Sequence, residues 1–175
     1  MKKVLCIAAL AFFCCCAFAQ GRIPLLDKVQ GQRVHFHYTY SLSQNGAPFR
    51  DITDGEVSLE GNAYVMEGLG LKVISNGSTR WSLDQAAREL VIEQVVKEDL
   101  FTNPALFIAS YQDHLDSIKV NQADEDSLDV TLTLDQETQA RFKLTGIVYG
   151  PPEGKSDFSL DEKSLPSDYV ITDLR

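Results

Sequence analysis

Strict alternation of apolar and polar residues predicts a β-strand near the beginning of the chain. From Arg33 to Ser43 every second side chain is apolar, and the side chains between them are polar. Successive side chains of a strand point to opposite faces of a sheet, so this pattern predicts a strand with one buried face. The same alternation returns from Leu128 to Leu134, and a turn at Asp135 to Thr138 then leads into a strand from Arg141 to Tyr149.

Between these strands, short apolar runs separated by turn residues predict a β-meander. Asn76-Gly77 is the clearest turn, because both residues tolerate positive φ and the pair is the strongest short signal for a hairpin. We therefore expect an antiparallel sheet. The predicted strands of the meander, followed by two at the end of the chain, are Val57 to Leu59, Tyr64 to Met66, Leu71 to Ile74, Trp81 to Leu83, Glu89 to Gln94, Phe158 to Leu160 and Tyr169 to Leu174.

One helix is predicted after the meander. Asn103 followed by Pro104 is a favourable cap and first helical position, and no helix breaker follows from Ala105 to His114. The apolar residues of this segment point in most directions around the helix axis, which indicates burial on more than one side. We therefore expect the helix to lie as a lid in the mouth of a curved sheet.

Residues 1–19 have the features of a secretory signal peptide. Lys2 and Lys3 precede an apolar run from Val4 to Cys16, and Ala17-Phe18-Ala19 supplies the small residues of a cleavage site. This predicts export to the bacterial periplasm with cleavage after Ala19, and it leaves residues 20–175 as a single β domain. No later segment offers roughly 20 consecutive apolar residues, the length that a membrane-spanning helix needs.

Cysteine positions and charge narrow the class of protein further. All four cysteines lie within the predicted signal peptide, which favours a periplasmic protein over a small extracellular scaffold held by disulfides. A lipid anchor is the alternative, although Ala11 stands three positions before Cys14, where a leucine is expected. The formal net charge of −9 repels phosphate groups, so nucleic acids and anionic membrane surfaces are not expected as partners.

No polar motif predicts an enzyme, a cofactor or a metal centre. His35 and His37 share one face of a predicted strand, a spacing that two metal ligands can have, but they also fit the polar face of an amphipathic strand. No serine stands in a Gly-x-Ser-x-Gly motif, and Gly68 and Gly70 do not begin a phosphate-binding loop. We therefore expect a protein without catalytic activity.

The candidate site is apolar. Aromatic and aliphatic side chains gather on faces that should point inward, and a curved sheet with one short helix fills its concave side incompletely, which leaves room for a ligand. An ordinary filled core is the alternative interpretation. The residues predicted to line the cavity are Phe36, Tyr38, Tyr40, Val57, Leu59, Tyr64, Met66, Trp81, Leu83, Leu106, Phe107 and Tyr111.

The segment from Asp54 to Gln94 resembles the outer-membrane lipoprotein carrier family, the LolA-type periplasmic chaperones. Ile74-Ser75-Asn76-Gly77 followed by Trp81 is similar to that family's Ser-Asp-Gly hairpin and its tryptophan. Leu132 to Thr138 and Tyr169 to Arg175 are similar to its later strands, so the resemblance covers most of residues 20–175 loosely.

This resemblance implies a mainly β fold with one or two helices, an incomplete antiparallel β-barrel with a helical lid over an apolar cavity. It implies a carrier that takes the acyl chains of lipoproteins, or a similar lipid, from an inner-membrane transporter to an outer-membrane acceptor. Glu60-Gly61 stands where the family has an Arg-Pro pair that helps hold the lid, and Pro24 to Gln30 replaces a longer N-terminal helix. The alternative is an interaction or sensor module of the same fold, with a closed cavity and no transported ligand.

Overall fold

The chain folds into one curved, open β-sheet with two short helices, as a computed structural model of residues 23–96 and 103–175 describes it. The prediction of a mainly β fold with an incomplete barrel is confirmed. The predicted signal peptide lies outside the described residues. The helices are α1 (Pro24–Asp27) and α2 (Pro104–Ser110), and the strands are β1 (Arg33–Gln44), β2 (Arg50–Glu60), β3 (Ala63–Gly68), β4 (Leu71–Ser75), β5 (Thr79–Asp84), β6 (Glu89–Gln94), β7 (Ile118–Ala123), β8 (Leu128–Thr133), β9 (Thr138–Gly150) and β10 (Val170–Asp173).

The strands lie in the order β10-β6-β5-β4-β3-β2-β1-β9-β8-β7. Every neighbouring pair is antiparallel except β10, which runs parallel to β6. This last pairing follows from the path of the C-terminal segment, residues 151–175, which crosses the sheet before its strand β10 pairs with β6. We call the face of the sheet on which α1 and α2 pack the inner face, and the opposite face the outer face.

Two glycines bring β2 and β3 unusually close together. Gly55 and Gly68 are direct partners across these strands. A Cβ atom on Gly55 would lie 1.9 Å from the carbonyl oxygen of Glu67, and one on Gly68 would lie 2.8 Å from the Tyr38 hydroxyl. Glycine is therefore required at both positions, because the backbone of Glu67 occupies the space beside Gly55 and the Tyr38 hydroxyl lies beside Gly68.

Two predictions about the elements need correction, and one strand was not predicted. The helix expected to run to His114 ends at Ser110 and continues as a 3-10 helix from Tyr111 to Ser117. The Ser110 hydroxyl donates to the carbonyl of Leu106 (2.8 Å), a contact that bends helices. Phe158 to Leu160 is not a strand, because Lys155–Phe158 forms a 3-10 turn. The strand β7, which sequence reasoning did not predict, is an edge strand with mostly exposed side chains and therefore shows no burial pattern.

Candidate functional site

One continuous apolar cluster covers the inner face and reaches α2. The ring of Phe142 on β9 lies at its centre, 5.1 Å between centroids from Tyr40 and 5.3 Å from Phe107 of α2. Phe36, Phe107 and Phe142 have no exposed surface. Aromatic pairs in such contact contribute about 0.5–1.5 kcal/mol each beyond the area they bury. Phe107 therefore anchors α2 to the sheet.

The N-terminal end of α2 is held by Asn103. Its side-chain oxygen accepts hydrogen bonds from the backbone N–H groups of Ala105 and Leu106, so the predicted N-cap is confirmed. The Nδ2 atom of the same side chain donates to the Tyr64 hydroxyl on β3 (2.9 Å). Burial raises the pKa of Tyr64, and the hydrogen bond that its oxygen accepts from Asn103 opposes this shift.

The 3-10 helix that follows α2, Tyr111–Ser117, is tied to α1. The Tyr111 hydroxyl donates to the carboxylate of Asp27, and the Gln112 side chain donates to the same carboxylate (3.1 Å). A further bond fixes α1 to the sheet, because the Tyr149 hydroxyl donates to the Leu25 carbonyl (2.8 Å). Burial and the hydrogen bond to Asp27 raise the pKa of Tyr111. Side-chain contacts therefore tether the cover of the inner face at both of its ends.

Glu60, at the end of β2, contacts both β1 and the C-terminal part of the chain. Its carboxylate accepts hydrogen bonds from Arg33 (3.3 Å) and from the backbone N–H of Glu153 (3.1 Å). The Arg33 guanidinium also contacts Asp157 (2.9 Å) and lies 5.0 Å from the centre of the Phe158 ring. These contacts fix the start of the C-terminal segment beside the end of the β1–β2 pair, where Arg33 and Glu60 are direct partners.

Trp81 and Leu83 lie on the outer face, which corrects the prediction that they share the inner face. In the register of β3, β4 and β5, Tyr64, Ser75 and Arg80 are aligned on the inner face, so Val65, Ile74 and Trp81 lie on the other. They belong to a second apolar cluster under the C-terminal segment. Its members are Ile74, Trp81, Leu83, Leu90 and Ile92, covered by Leu160, Leu165 and Tyr169.

The other predicted residues lie together on the inner face or on the helical segment. Their side chains pack against one another and fill this face. Of the twelve residues predicted to line a cavity, Tyr111 alone borders one of the two cavities described below. The buried ones are Phe36, Tyr38, Tyr40, Val57, Leu59, Tyr64, Phe107 and Tyr111, and the partly buried ones are Met66 and Leu106.

A cavity of about 270 Å³ lies where α1, α2 and the β2–β3 turn meet. Its floor consists of buried apolar side chains, and its rim carries amide side chains, two glycines and Ala109. Sequence reasoning missed this site, because its residues belong to three separate segments and share no periodicity. The lining residues are Leu26, Val29, Gln30, Gly31, Gly61, Asn62, Ile108, Ala109, Tyr111 and Gln112.

A second cavity of about 280 Å³ lies near the turn between β3 and β4. Asp51, Asp54 and the threonines of β1 and β2 line much of it, and Leu69 at the turn is 71% exposed. Asp51 accepts a hydrogen bond from Ser41 (2.7 Å). Two carboxylates therefore line this cavity, whereas none of the residues that line the cavity between the helices is charged.

His35 and His37 lie exposed on the outer face. The His35 Nδ1 atom is 3.0 Å from the Ser58 hydroxyl, and the His37 Nε2 atom is 3.9 Å from the Asp54 carboxylate. Within residues 23–96 and 103–175, no group of three or more His, Cys, Asp and Glu side chains is placed to hold a metal ion. No helix in the described part of the chain is long and apolar enough to cross a membrane.

Comparison with known proteins shows a weak structural likeness and no match in sequence. No family model matches the chain. No curated protein matches it either. The fold is similar to an uncharacterised conserved protein from Thermus thermophilus, with a TM-score of 0.48 and 8% sequence identity over 86% of this chain and 95% of that one. A similarity at this level identifies no function.

Proposed function

We propose that this chain is an exported carrier without catalytic activity, which binds the acyl chains of lipoproteins or of a similar lipid beneath α2. In this proposal the chain is cleaved after Ala19 and acts in the periplasm. It receives its cargo from an inner-membrane transporter and passes it to an outer-membrane acceptor. The acyl chains are shielded from water during the transfer.

The observation that carries this proposal is that a large apolar face of the sheet is covered by a much shorter helix. The face is a continuous aromatic and aliphatic surface formed by long strands, whereas its cover is a helix of 7 residues. Isolated helices of that length are not stable in water, so α2 depends on Phe107 and on the tethers at Asn103 and Tyr111. A cover held by so few contacts can be displaced without unfolding the sheet.

The energy of displacement is within the range that a lipid supplies. Lifting α2 exposes Phe107 and Ile108, which costs about 1.5–3 kcal/mol for each large side chain. Breaking the hydrogen bonds of Asn103 and Tyr111 adds about 2–4.5 kcal/mol. Each buried methylene of a ligand contributes about 0.8 kcal/mol, so roughly six to thirteen methylenes offset the whole cost. An ordinary acyl chain is longer than this. It would occupy the space over Phe36 and Phe142 from which Phe107 withdraws.

The filled inner face supports a second candidate function. Phe36, Phe107 and Phe142 are fully buried against one another, as expected for an interaction or sensor module with a permanently closed interior. The two functions differ in one property. The carrier opens for a lipid, and the module does not.

Uptake of a triacyl lipopeptide tests the proposal. The mature chain, residues 20–175, is incubated with the lipopeptide below its micelle concentration, and the bound fraction is measured by native mass spectrometry over time. We expect one lipopeptide per chain. Asn103→Ser keeps a helix cap but is too short to reach Tyr64, so it should accelerate uptake several-fold.

The matched control is Asn121→Ser, which removes an amide from the edge strand β7 at a distance from α2. It should leave the uptake rate unchanged. Absence of uptake by both the wild-type chain and Asn103→Ser would contradict the carrier and support the closed module.

A further inference from the structure

The cavity between α1 and α2 has an uncharged lining, although charged residues make up 23% of the chain. Among the described residues that line it, none is acidic or basic. Leu26, Val29 and Ile108 form an apolar floor that is almost fully buried. Gln30, Asn62 and Gln112 provide amide donors and acceptors at the exposed rim. Such a lining fits an apolar chain attached to an uncharged polar group.

The surroundings of this cavity disfavour an anion. The Asp27 carboxylate lies directly behind the lining, since Tyr111 and Gln112 both donate to it. The chain as a whole is acidic, with a formal net charge of −9. A phosphate or carboxylate at the rim would meet repulsion from Asp27 without a compensating lysine or arginine among the lining residues.

The cavity also shares residues with the apolar cluster of the inner face. Ile108 and Tyr111 line it on one side and belong to the apolar cluster that contains Phe107 and Phe142 on the other. Gly31 and Gly61 at the rim adopt positive φ values of 75° and 61°, and nothing lies within 4 Å of a Cβ atom built on either. The rim is therefore open at these two glycines, and Ile108 and Tyr111 separate the cavity from the rest of the cluster, so a chain that enters here reaches Phe107 and Phe142 only when α2 is displaced.

From these observations we propose that this cavity is the mouth of the site, where an acyl chain enters and its amide or ester group is held by Gln30, Asn62 and Gln112. The inference rests on the carrier function proposed above and deepens it. It assigns the ligand to lipids whose chain is joined to an uncharged head, and it discriminates against lipids whose head carries a phosphate.

A matched pair of ligands tests the selectivity of the head group. 1-Palmitoylglycerol and 1-palmitoylglycerol 3-phosphate have the same chain and ester and differ by the phosphate alone. Their affinities for the mature chain are measured by displacement of the neutral fluorescent probe N-phenyl-1-naphthylamine. We expect the neutral lipid to bind about tenfold more tightly, which is the effect of one like-charge contact at a partly solvated site. Gln30→Lys should remove this preference.

A bulky side chain tests the position of the mouth. Ala109 is exposed at the rim, so Ala109→Trp should fill the cavity and reduce the affinity for both lipids about tenfold or more. Asp113→Trp adds the same side chain at an exposed position of the adjoining 3-10 helix that does not line the cavity, and it should bind the neutral lipid like the wild type. Equal thermal unfolding of the two variants excludes a difference in folding.

The outcomes separate this inference from the function on which it rests. Equal affinity for both lipids would overturn the head-group assignment and leave the carrier intact. Unchanged binding by Ala109→Trp would overturn the position of the mouth. If the wild type takes up neither these lipids nor the triacyl lipopeptide, the carrier function fails and the inference with it.

Discussion

The two apolar clusters of this sheet are covered in different ways. The inner cluster lies under α2, which is attached by Phe107 and by tethers at its two ends. The outer cluster lies under the C-terminal segment, which continues into β10 and is hydrogen-bonded to the sheet along its backbone. Displacing the second cover requires breaking strand pairing, whereas displacing the first does not. Burial of an apolar surface alone therefore does not indicate a ligand site, and the attachment of its cover must be considered too.

The outer cover is also attached through a buried indole. The Trp81 Nε1 atom donates to the Glu162 carboxylate (3.0 Å), and Arg175 lies 3.5 Å from the same carboxylate. Arg88 forms an ion pair with Asp168 farther along this segment. We expect the outer cluster to be structural and the inner cluster to be both structural and ligand-binding.

The largest effect is expected at the centre of the inner cluster. Phe142→Ala removes the ring that joins Tyr40 to Phe107 and should lower the free energy of unfolding by about 3–5 kcal/mol. Phe49→Ala is the matched control, because Phe49 is only half-buried under the Arg141 guanidinium and should cost about 1 kcal/mol or less. Urea denaturation measures both. Equal losses would contradict the central position of Phe142.

A smaller loss of stability is expected in the outer cluster, and it should leave lipid uptake unchanged. Trp81→Phe keeps most of the apolar volume but removes the donor to Glu162, so it should cost about 1.5–3 kcal/mol, the range for a hydrogen bond to a charged group. Lipopeptide uptake should remain at the wild-type level, because Trp81 lies on the outer face. Phe107→Leu serves as the comparison and should accelerate uptake, because it weakens the aromatic contact that holds α2 on the inner face. Loss of uptake in Trp81→Phe would show that the outer cluster belongs to the site.

The smallest effect concerns alkaline pH. Burial raises the pKa of Tyr38, Tyr40 and Tyr64 on the inner face above the ordinary value of 10.0. As the pH rises, the unfolded chain loses these protons before the folded chain does. The contribution of these tyrosines to the free energy of unfolding is therefore constant below about pH 10 and falls as the pH rises further. Urea midpoints between about pH 8 and pH 11 measure the slope, and Tyr64→Phe should reduce it. An unchanged slope in that variant would contradict the contribution of Tyr64.

The elements that bury one face were predicted best. The alternation from Arg33 to Ser43 corresponds to β1, and the bounds predicted for Glu89 to Gln94 are those of β6. The first half of β2 was missed, because Arg50 to Glu56 is polar and largely exposed and shows no apolar period. The end of α2 was missed as well. The bend at Ser110 depends on a hydrogen bond to Leu106 and on the distant partner Asp27 of Tyr111, which no local pattern reveals.

The candidate site was predictable as a set of buried side chains and not as a cavity. Phe36, Tyr38 and Tyr40 alternate along one strand, so their shared face follows from the sequence. The cavity between α1 and α2 unites Leu26, Asn62 and Ile108 from separate segments, and their proximity arises only when both helices pack on the inner face.

The amino-acid sequence by itself determined the strands with one buried face, the Asn76-Gly77 turn and the cap of α2 at Asn103, because each depends on residues within a few positions of one another. The tertiary structure decided which face each strand buries. A period of two shows that Trp81 and Leu83 share a face, but both faces of an open sheet can be covered. The path of the C-terminal segment across β4, β5 and β6 buries these two side chains on the outer face, away from the helices that cover the inner one.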